Sequence, residues 1–163
     1  MQSISSKNTS INSSKLPAIV KNIDWEQYRG QNVLDFGGGK FDNLKDYLKN
    51  EYGINLYVYD KFNRTDDENK IACTCNPSLI ICSNVLNVID SDKEIETIIK
   101  DLDRYRVKTY YYIYEGDKSG VGRATKKDCY QRNMKTHGYL DFFMHNCNGV
   151  VCNWKRNIIK VTY

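Results

Sequence analysis

Several features that would narrow the function of this 163-residue chain are missing from it. No apolar run approaches the roughly 18 residues that a membrane-spanning helix needs, and the N-terminus lacks the apolar region of a secretory signal. The net charge is only +4, too small to make the whole surface a nucleic-acid binder. We therefore expect a cytoplasmic protein with no membrane partner, in which any useful cationic excess is concentrated in one place.

Metal-binding cysteine pairs are also missing. The chain has six cysteines but no pair with the CxxC spacing that is typical of zinc sites. Without a secretory signal we expect the thiols to stay reduced. We predict no metal site and interpret the cysteines as small hydrophobic residues in or beside strands, namely Cys73, Cys75, Cys82, Cys129, Cys147 and Cys152.

The length and composition fit one domain, because 40% of the residues are hydrophobic and 27% are charged. The first fifteen residues are rich in Ser and Asn and have almost no apolar side chains. Such a segment cannot bury enough surface to offset the entropy lost on ordering. We predict a flexible arm over residues 1–15 and a single domain over residues 16–163.

Apolar periodicity predicts alternating strands and helices along the domain. Strands are predicted over residues 32–36, 55–59, 79–82 and 107–114, with a weak strand near 70–74. Helices are predicted within 16–30, over 40–52, from a capping box at Ser91 to residue 102, and near 127–146 with a break at Gly138. Residues 150–153 and 158–163 predict a terminal hairpin.

Apolar strands separated by helices are typical of a mostly parallel sheet with helices on both faces. The terminal hairpin adds antiparallel strands at one edge. In open α/β sheets, ligands bind beyond the carboxyl ends of the strands. We therefore look for function in the loops that follow the strands.

The most informative loop holds Gly37, Gly38 and Gly39, between the first predicted strand and the helix after it. Glycines let backbone amides approach a ligand closely, because no Cβ stands in the way. Asp60 ends the second strand, where a carboxylate can accept hydrogen bonds from ribose hydroxyls. The pattern predicts a nucleoside cofactor, although a glycine turn that only allows close helix packing has the same sequence.

Two details favour a cationic cofactor over a dinucleotide. Dinucleotide sites need a Gly-x-Gly-x-x-Gly pattern, whereas the last position here is Asp42, an anion that would face the pyrophosphate. Asp35, two residues before Gly37, suits a cation such as the amino group of a bound amino acid. These residues disfavour NAD.

The segment resembles the first motif of the class I S-adenosylmethionine-dependent methyltransferases, acid-x-Gly-x-Gly-x-Gly, with Phe41 in place of the third glycine. The likeness covers residues 30–115 well and is especially close to small members predicted in bacteriophage and bacterial genomes. It implies a Rossmann-like α/β three-layer sandwich with a mostly parallel sheet, a C-terminal antiparallel hairpin and S-adenosyl-L-methionine as cofactor. It implies a cofactor site formed by Asp35, Phe36, Gly37, Gly38, Gly39, Asp60, Lys61, Ser83, Asn84 and Val85.

The motifs of two DNA-methylating chemistries are absent. The amino-methylating enzymes carry an Asp/Asn/Ser-Pro-Pro-aromatic motif, whereas the corresponding segment here is Ser83-Asn84-Val85-Leu86, and the Pro-Cys pair of the cytosine-C5 enzymes does not occur. Methyl transfer is an in-line displacement that positioning and desolvation can largely drive. No dedicated nucleophile is therefore required.

A basic stretch follows the strand predicted over residues 107–114. Residues 116–138 carry six basic and two acidic side chains, and this excess of +4 equals that of the whole chain. The stretch predicts a phosphate-bearing acceptor, with a nucleotide or nucleic acid favoured. The predicted acceptor-binding residues are Arg123, Lys126 and Tyr130, although Lys126 also fits a solvated helix face and Tyr130 a core position.

Four polar residues after strands are candidates for catalysis, namely Asn84, Asn87, Glu115 and Asp117. The two asparagines would hydrogen-bond an amide or base edge of the acceptor. Glu115 or Asp117 would act as a general base or orient an amine. The alternative for all four is a structural role as caps or as hydrogen-bond partners within loops.

The favoured function is S-adenosylmethionine-dependent methyl transfer to a small or phosphate-bearing acceptor. An S-adenosylmethionine lyase or hydrolase needs the same pocket without an acceptor. A non-catalytic methyltransferase-like subunit would bind nucleic acid or a partner instead. Because the chain has no room for a separate target-recognition domain, a partner subunit or a homo-oligomer would be one way to recognise the acceptor.

Overall fold

The computed structural model describes residues 15–126 and 128–163, with only the backbone of Lys126. The strands are β1 (Asn32–Phe36), β2 (Asn55–Tyr59), β3 (Leu79–Ser83), β4 (Thr109–Tyr112), β5 (Arg123–Lys126), β6 (Cys129–Gln131), β7 (Val150–Lys155) and β8 (Ile158–Thr162). The α-helices are α1 (Asn43–Tyr52), α2 (Asp66–Cys73), α3 (Asp92–Asp103) and α4 (Leu140–Met144). Of the arm predicted over residues 1–15, all but Lys15 lies outside the described residues.

The main sheet has the strand order β2-β1-β3-β4-β8-β7. Strands β2, β1, β3 and β4 pair in parallel, whereas β8 runs antiparallel to both β4 and β7. Strand β1 thus lies between β2 and β3, and the order in which strands are added to the sheet reverses there. The predicted α/β fold, with a mostly parallel sheet and a terminal antiparallel hairpin, is confirmed.

Side chains from both faces of the sheet are buried, so the core has two halves. Neighbouring positions along β1 show this, because Val33 belongs to one hydrophobic cluster and Leu34 to the other. Helix α1 and the 3-10 segments Ala18–Asn22 and Trp25–Tyr28 cover the Val33 side. Helices α2, α3 and α4 cover the Leu34 side. The result is a three-layer sandwich.

Three predicted elements were wrong. The weak strand near 70–74 is part of α2, since a complete capping box between Thr65 and Glu68 starts a helix there. The helix near 127–146 is replaced by the β5–β6 hairpin, a 3-10 turn and the short helix α4, because Asp128 and Asn133 have positive φ angles that an α-helix cannot accommodate. The helix predicted within 16–30 is two 3-10 segments.

Asp103 ties the C-terminal strand to α3. Its carboxylate accepts hydrogen bonds from the backbone N–H and side-chain amide of Asn148, at 2.8 and 2.6 Å, and from the Tyr163 hydroxyl at 2.6 Å. Burial alone would oppose ionisation, but these hydrogen bonds outweigh it and lower the pKa of Asp103 to about 2. The charged carboxylate thus joins three segments on the far side of the sheet from α1.

Within residues 15–126 and 128–163, no helix has both the length and the apolar character needed to cross a membrane.

Candidate functional site

A cavity of about 870 Å³ lies at the carboxyl ends of the parallel strands. Nine of the predicted cofactor-binding residues border it: Asp35, Phe36, Gly37, Gly38, Asp60, Lys61, Ser83, Asn84 and Val85. The predicted acceptor-side residues Asn87 and Tyr130 border it as well, together with Lys15, Phe62, Glu94, Tyr114 and Gln131, which the sequence did not indicate. Sequence-distant loops are thus brought together where the fold predicts a ligand.

The glycine loop needs its glycines for two physical reasons. Gly37 and Gly39 have φ angles of +81° and +74°, in the left-handed region that side chains rarely adopt. Gly38 is needed for space, because a Cβ there would lie 2.5 Å from Oδ2 of Asp35 and 2.7 Å from Cγ1 of Val58. The loop therefore packs directly against the Asp35 carboxylate.

The backbone amides of this loop are already used within the protein. The N–H groups of Gly37 and Gly38 donate to the carbonyl oxygen of Tyr59, at 2.7 and 3.3 Å. The N–H of Gly39 donates to Oδ2 of Asp60 at 2.9 Å. Since an anion site at such a loop depends on free N–H groups, these three glycines do not form one.

Asp35 is buried at the end of β1 and is only 4% exposed. None of the hydrogen bonds or ion pairs among the described residues reaches its carboxylate. Burial first, and the charge of Asp60 second, raise the pKa of Asp35 to about 7, with Arg64 opposing the shift. A buried acid in this state gains a favourable interaction when a cation binds beside it.

Asp60 is also buried, at the end of β2, but both of its carboxylate oxygens accept hydrogen bonds. Its Oδ1 accepts from the backbone N–H groups of Phe62 and Asn63 and from the Asn63 side-chain amide, at 3.0, 3.0 and 2.9 Å. Its Oδ2 accepts from Gly39. Asp60 therefore connects the glycine loop to the β2–α2 loop, and one lone pair of Oδ2 is left for a ligand hydroxyl.

Arg64 connects the same two loops, and its side chain is only 8% exposed. Its Nε donates to the carbonyl oxygen of Gly39 at 2.8 Å, and its guanidinium pairs with Asp42 at 2.7 Å. No sequence pattern indicated this residue, because its main partner is a backbone carbonyl group. Asp42, the anion that disfavoured a dinucleotide, is thus held by Arg64.

Two polar atoms after β3 border the cavity without a partner. Oγ of Ser83 and Oδ1 of Asn87 are covered from water, and neither has a hydrogen-bond partner within the described residues. The Asn87 side-chain amide donates to Oε1 of Gln131 at 3.1 Å, and Gln131 donates to the carbonyl oxygen of Tyr114 at 3.0 Å. This relay fixes the orientation of Asn87, and Gln131 is a residue that sequence reasoning missed. Asn84 is exposed, with a φ of +59°.

The other two candidates for catalysis lie apart from the cavity lining. Oε1 of Glu115 accepts from the backbone N–H and hydroxyl of Thr136 at 2.8 and 2.9 Å. Burial opposes ionisation of Glu115, but these hydrogen bonds, with Lys118 and Arg156 nearby, outweigh it and lower its pKa. Asp117 pairs with Arg123, and its hydrogen bonds with Ser119 lower its pKa. A catalytic role for Glu115 or Asp117 stays a prediction.

Three of the six basic side chains in residues 116–138 form ion pairs within the described part of the chain. Lys118 pairs with Glu115 at 3.7 Å, Arg123 with Asp117, and Arg132 with Asp92 at 2.6 Å. Arg123, the predicted anion-binding residue, does not border the cavity. The side chain of Lys126 lies outside the described residues, whereas Tyr130 is half-buried on β6 and faces the cavity.

Within the described residues, no three His, Cys, Asp or Glu side chains are grouped closely enough to hold a metal ion.

Comparisons with known proteins add little to this site. No protein-family model matches the chain, and no curated protein sequence matches it. Among solved structures, the crystal structure of a mutant of MtNAS matches with 12% sequence identity and a TM-score of 0.42, covering 88% of this chain and 57% of that one. The chain therefore spans little more than half the length of that protein, and its function has to be argued from its own residues.

Proposed function

We propose that the protein binds S-adenosyl-L-methionine at the carboxyl ends of β1, β2 and β3 and transfers its methyl group to a small or phosphate-bearing acceptor. A nucleotide or nucleic acid is the favoured acceptor. The observation that carries the proposal is Asp35, a buried carboxylate without a hydrogen-bond partner in the described part of the chain. It lies beside a glycine loop whose amides are already occupied.

The residues present fit this cofactor. The cavity of about 870 Å³ lies within the range of roughly 300–1,000 Å³ that small-molecule sites usually have. An ammonium group on the ligand would neutralise Asp35, which borders the cavity. The remaining lone pair of Asp60 would accept from a ribose hydroxyl.

The same residues do not favour a dinucleotide. A pyrophosphate would find the amides of the three glycines already donating to Tyr59 and Asp60. It would also lie close to the buried acid Asp35. Both features oppose a double negative charge and favour a positive one.

When bound, the cofactor would supply an electrophilic methyl group on its sulfonium. The protein's part is to bind, orient and desolvate. Asn87 would accept a hydrogen bond from an acceptor N–H or O–H through its free Oδ1, held in place by Gln131. Asn84, Glu115 and Asp117 stay predicted catalytic residues, and Arg123, Lys126 and Tyr130 predicted acceptor contacts.

Titration calorimetry with S-adenosylhomocysteine tests the cofactor site, because its ammonium group provides the cation. Binding should release a proton from Asp35, so the affinity should rise about tenfold between about pH 6 and pH 8. Asp35→Asn should remove this proton release and weaken binding at pH 8. Asp46→Asn, an exposed position on α1, is the matched control and should behave like the parent protein.

Two results would overturn the cofactor assignment. One is binding of NAD in place of S-adenosylhomocysteine, and the other is binding that Asp35→Asn leaves unchanged. Incubation with labelled S-adenosylmethionine then separates the activities. Transfer of label to a nucleotide or oligonucleotide supports methyl transfer, whereas loss of cofactor without any acceptor supports a lyase or hydrolase.

A further inference from the structure

Cationic side chains without carboxylate partners gather on the β7–β8 hairpin. Residues 144–163 include Lys155, Arg156 and Lys160 but no Asp or Glu. Within the part of the chain that the structure describes, none of these three forms an ion pair, and neither does Lys108 beside them. We call the group formed by Lys108, Trp154, Lys155, Arg156 and Lys160 the hairpin patch.

Trp154 organises two of these cations. Its side chain is 37% exposed, and it packs against Tyr110 with the ring centres 5.3 Å apart. The ammonium groups of Lys155 and Lys160 lie 4.4 and 5.1 Å from the centre of the indole ring. Attraction to the ring holds the two lysines in place, so their side chains lose less conformational entropy when they bind an anion.

The patch shares one face of the sheet. Lys160 stands opposite Tyr110 in the β4–β8 register, so both side chains lie on the face that Trp154 covers. Lys108 immediately precedes β4, and its charge lies close enough to act on the Tyr110 hydroxyl. The cations therefore form a surface rather than a scattered set.

The tip of the hairpin reaches the edge of the sheet where the cavity opens. Asn157 exchanges two hydrogen bonds of 2.8 Å with the backbone of Ile113, immediately after β4. Because β8 is antiparallel to β4, the hairpin turn lies at the carboxyl end of the parallel strands. Arg156 and Lys155 therefore lie on the cavity side of the molecule, and Lys155 also donates to Asn22 at 3.1 Å.

We propose that the hairpin patch binds the phosphate backbone of a single-stranded nucleic acid. Cations outside ion pairs, next to an aromatic side chain, fit a chain of phosphates. Residues 144–163 contain no acidic side chain, and the one carboxylate on which the charge of Arg156 acts among the described residues is that of Glu115. The choice of a single strand rests on the proposed function, since a base within a duplex would have to leave the stack to reach the cavity.

Fluorescence anisotropy with a labelled oligothymidylate and a labelled oligouridylate, in the absence of S-adenosylmethionine, tests the patch. The double variant Lys155→Gln and Lys160→Gln should bind about tenfold more weakly, and the slope of log affinity against log salt should fall by about 1.4, as expected for two lost phosphate contacts on a single strand. Comparing the two oligonucleotides identifies DNA or RNA as the preferred strand. Oligonucleotide binding should also change the fluorescence of the parent protein, and Trp154→Phe should abolish that change because Trp25 is buried.

The double variant Lys93→Gln and Lys100→Gln is the matched control. Both lysines are exposed on α3, outside the ion pairs of the described residues, and the loss of charge is the same. The control should retain parent affinity. The proposal would be overturned if the control lost as much oligonucleotide affinity as the Lys155/Lys160 variant, or if Arg123→Gln lost the affinity instead. It would also be overturned if the protein bound heparin and anionic vesicles as tightly as the oligonucleotide.

The outcome is independent of the cofactor. Binding of the oligonucleotide without binding of S-adenosylhomocysteine would support the hairpin patch and contradict the proposed function. Binding of S-adenosylhomocysteine without binding of the oligonucleotide would support the cofactor site and contradict the hairpin patch. Thermal unfolding midpoints of both double variants that match the parent would show that any loss of affinity is not caused by unfolding.

Discussion

Asp35 and Asp60 end neighbouring parallel strands, and both are buried at the same cavity. Asp60 accepts hydrogen bonds from Gly39, Phe62 and Asn63, whereas no such bond reaches Asp35 from the described residues. Two aspartates on neighbouring strands thus differ in whether the folded protein supplies hydrogen-bond donors to their carboxylates. The difference teaches that the satisfied acid holds the loops in place, whereas the unsatisfied one is the acid beside which we propose that a cationic ligand binds.

The largest expected effect comes from removing the satisfied acid. Asp60→Ala would leave two backbone N–H groups, the Gly39 N–H and an amide side chain without their acceptor. We expect a loss of unfolding free energy on the order of 4 kcal/mol, measured by urea unfolding at pH 8. Asp60→Asn should fall in between, since it keeps one oxygen. A fully stable Asp60→Ala protein would show that these bonds do not hold the loops.

The unsatisfied acid should respond in the opposite direction. Because the pKa of Asp35 is raised to about 7, the folded protein loses stability as the pH rises from about 4 to about 7 and the buried group must ionise. Asp35→Asn should remove this loss and be more stable than the parent at pH 8, by on the order of 3 kcal/mol, and equally stable near pH 4. Thermal unfolding across this pH range measures the effect. Parallel pH profiles for the two proteins would contradict the burial of an unpaired charge.

A third acid, Asp103, lies outside the cavity lining and sharpens the comparison with a smaller effect. Tyr163→Phe removes one of the hydrogen bonds that Asp103 accepts. We expect a loss of about 1.5 kcal/mol at neutral pH. Because the pKa of Asp103 is lowered to about 2, the difference from the parent should be fully present above about pH 4 and shrink as the pH falls towards 2. A difference that is constant with pH would assign the effect to lost packing instead.

Much of the fold followed from apolar periodicity in the sequence. The strands β1 to β4, the terminal hairpin and the helices α1 and α3 lie close to where the pattern predicts them. Helix α2 was missed, although the sequence contains a signal for its start. That signal is the capping box Thr65-x-x-Glu68. The β5–β6 hairpin was missed for a different reason. Its turn depends on Asp128 adopting a positive φ, which the short polar run around it does not specify.

Sequence patterns indicated several residues that border the cavity, but not the hydrogen bonds between them. The sequence indicated Asp35, the glycines and Asp60 because strand ends and glycine loops are local patterns. It could not indicate that Asp60 accepts its hydrogen bonds from neighbouring loops, or that Arg64 donates to Gly39. Those bonds depend on where the backbone runs in three dimensions. The same holds for the basic stretch, in which Lys118, Arg123 and Arg132 form ion pairs with Glu115, Asp117 and Asp92.

The bonds that Asp60 and Arg64 make to Gly39 also bear on how the cavity moves. They join the glycine loop and the β2–α2 loop, so these two walls should open together or not at all, and the Gly39 amide should exchange slowly with solvent. These two loops are already ordered in the folded protein, so a ligand does not have to order them when it binds. This favours binding to a preformed site over induced fit. Access is left to the opposite wall, where the β5–β6 hairpin is joined to the segment after β3 through Asn87 and Gln131.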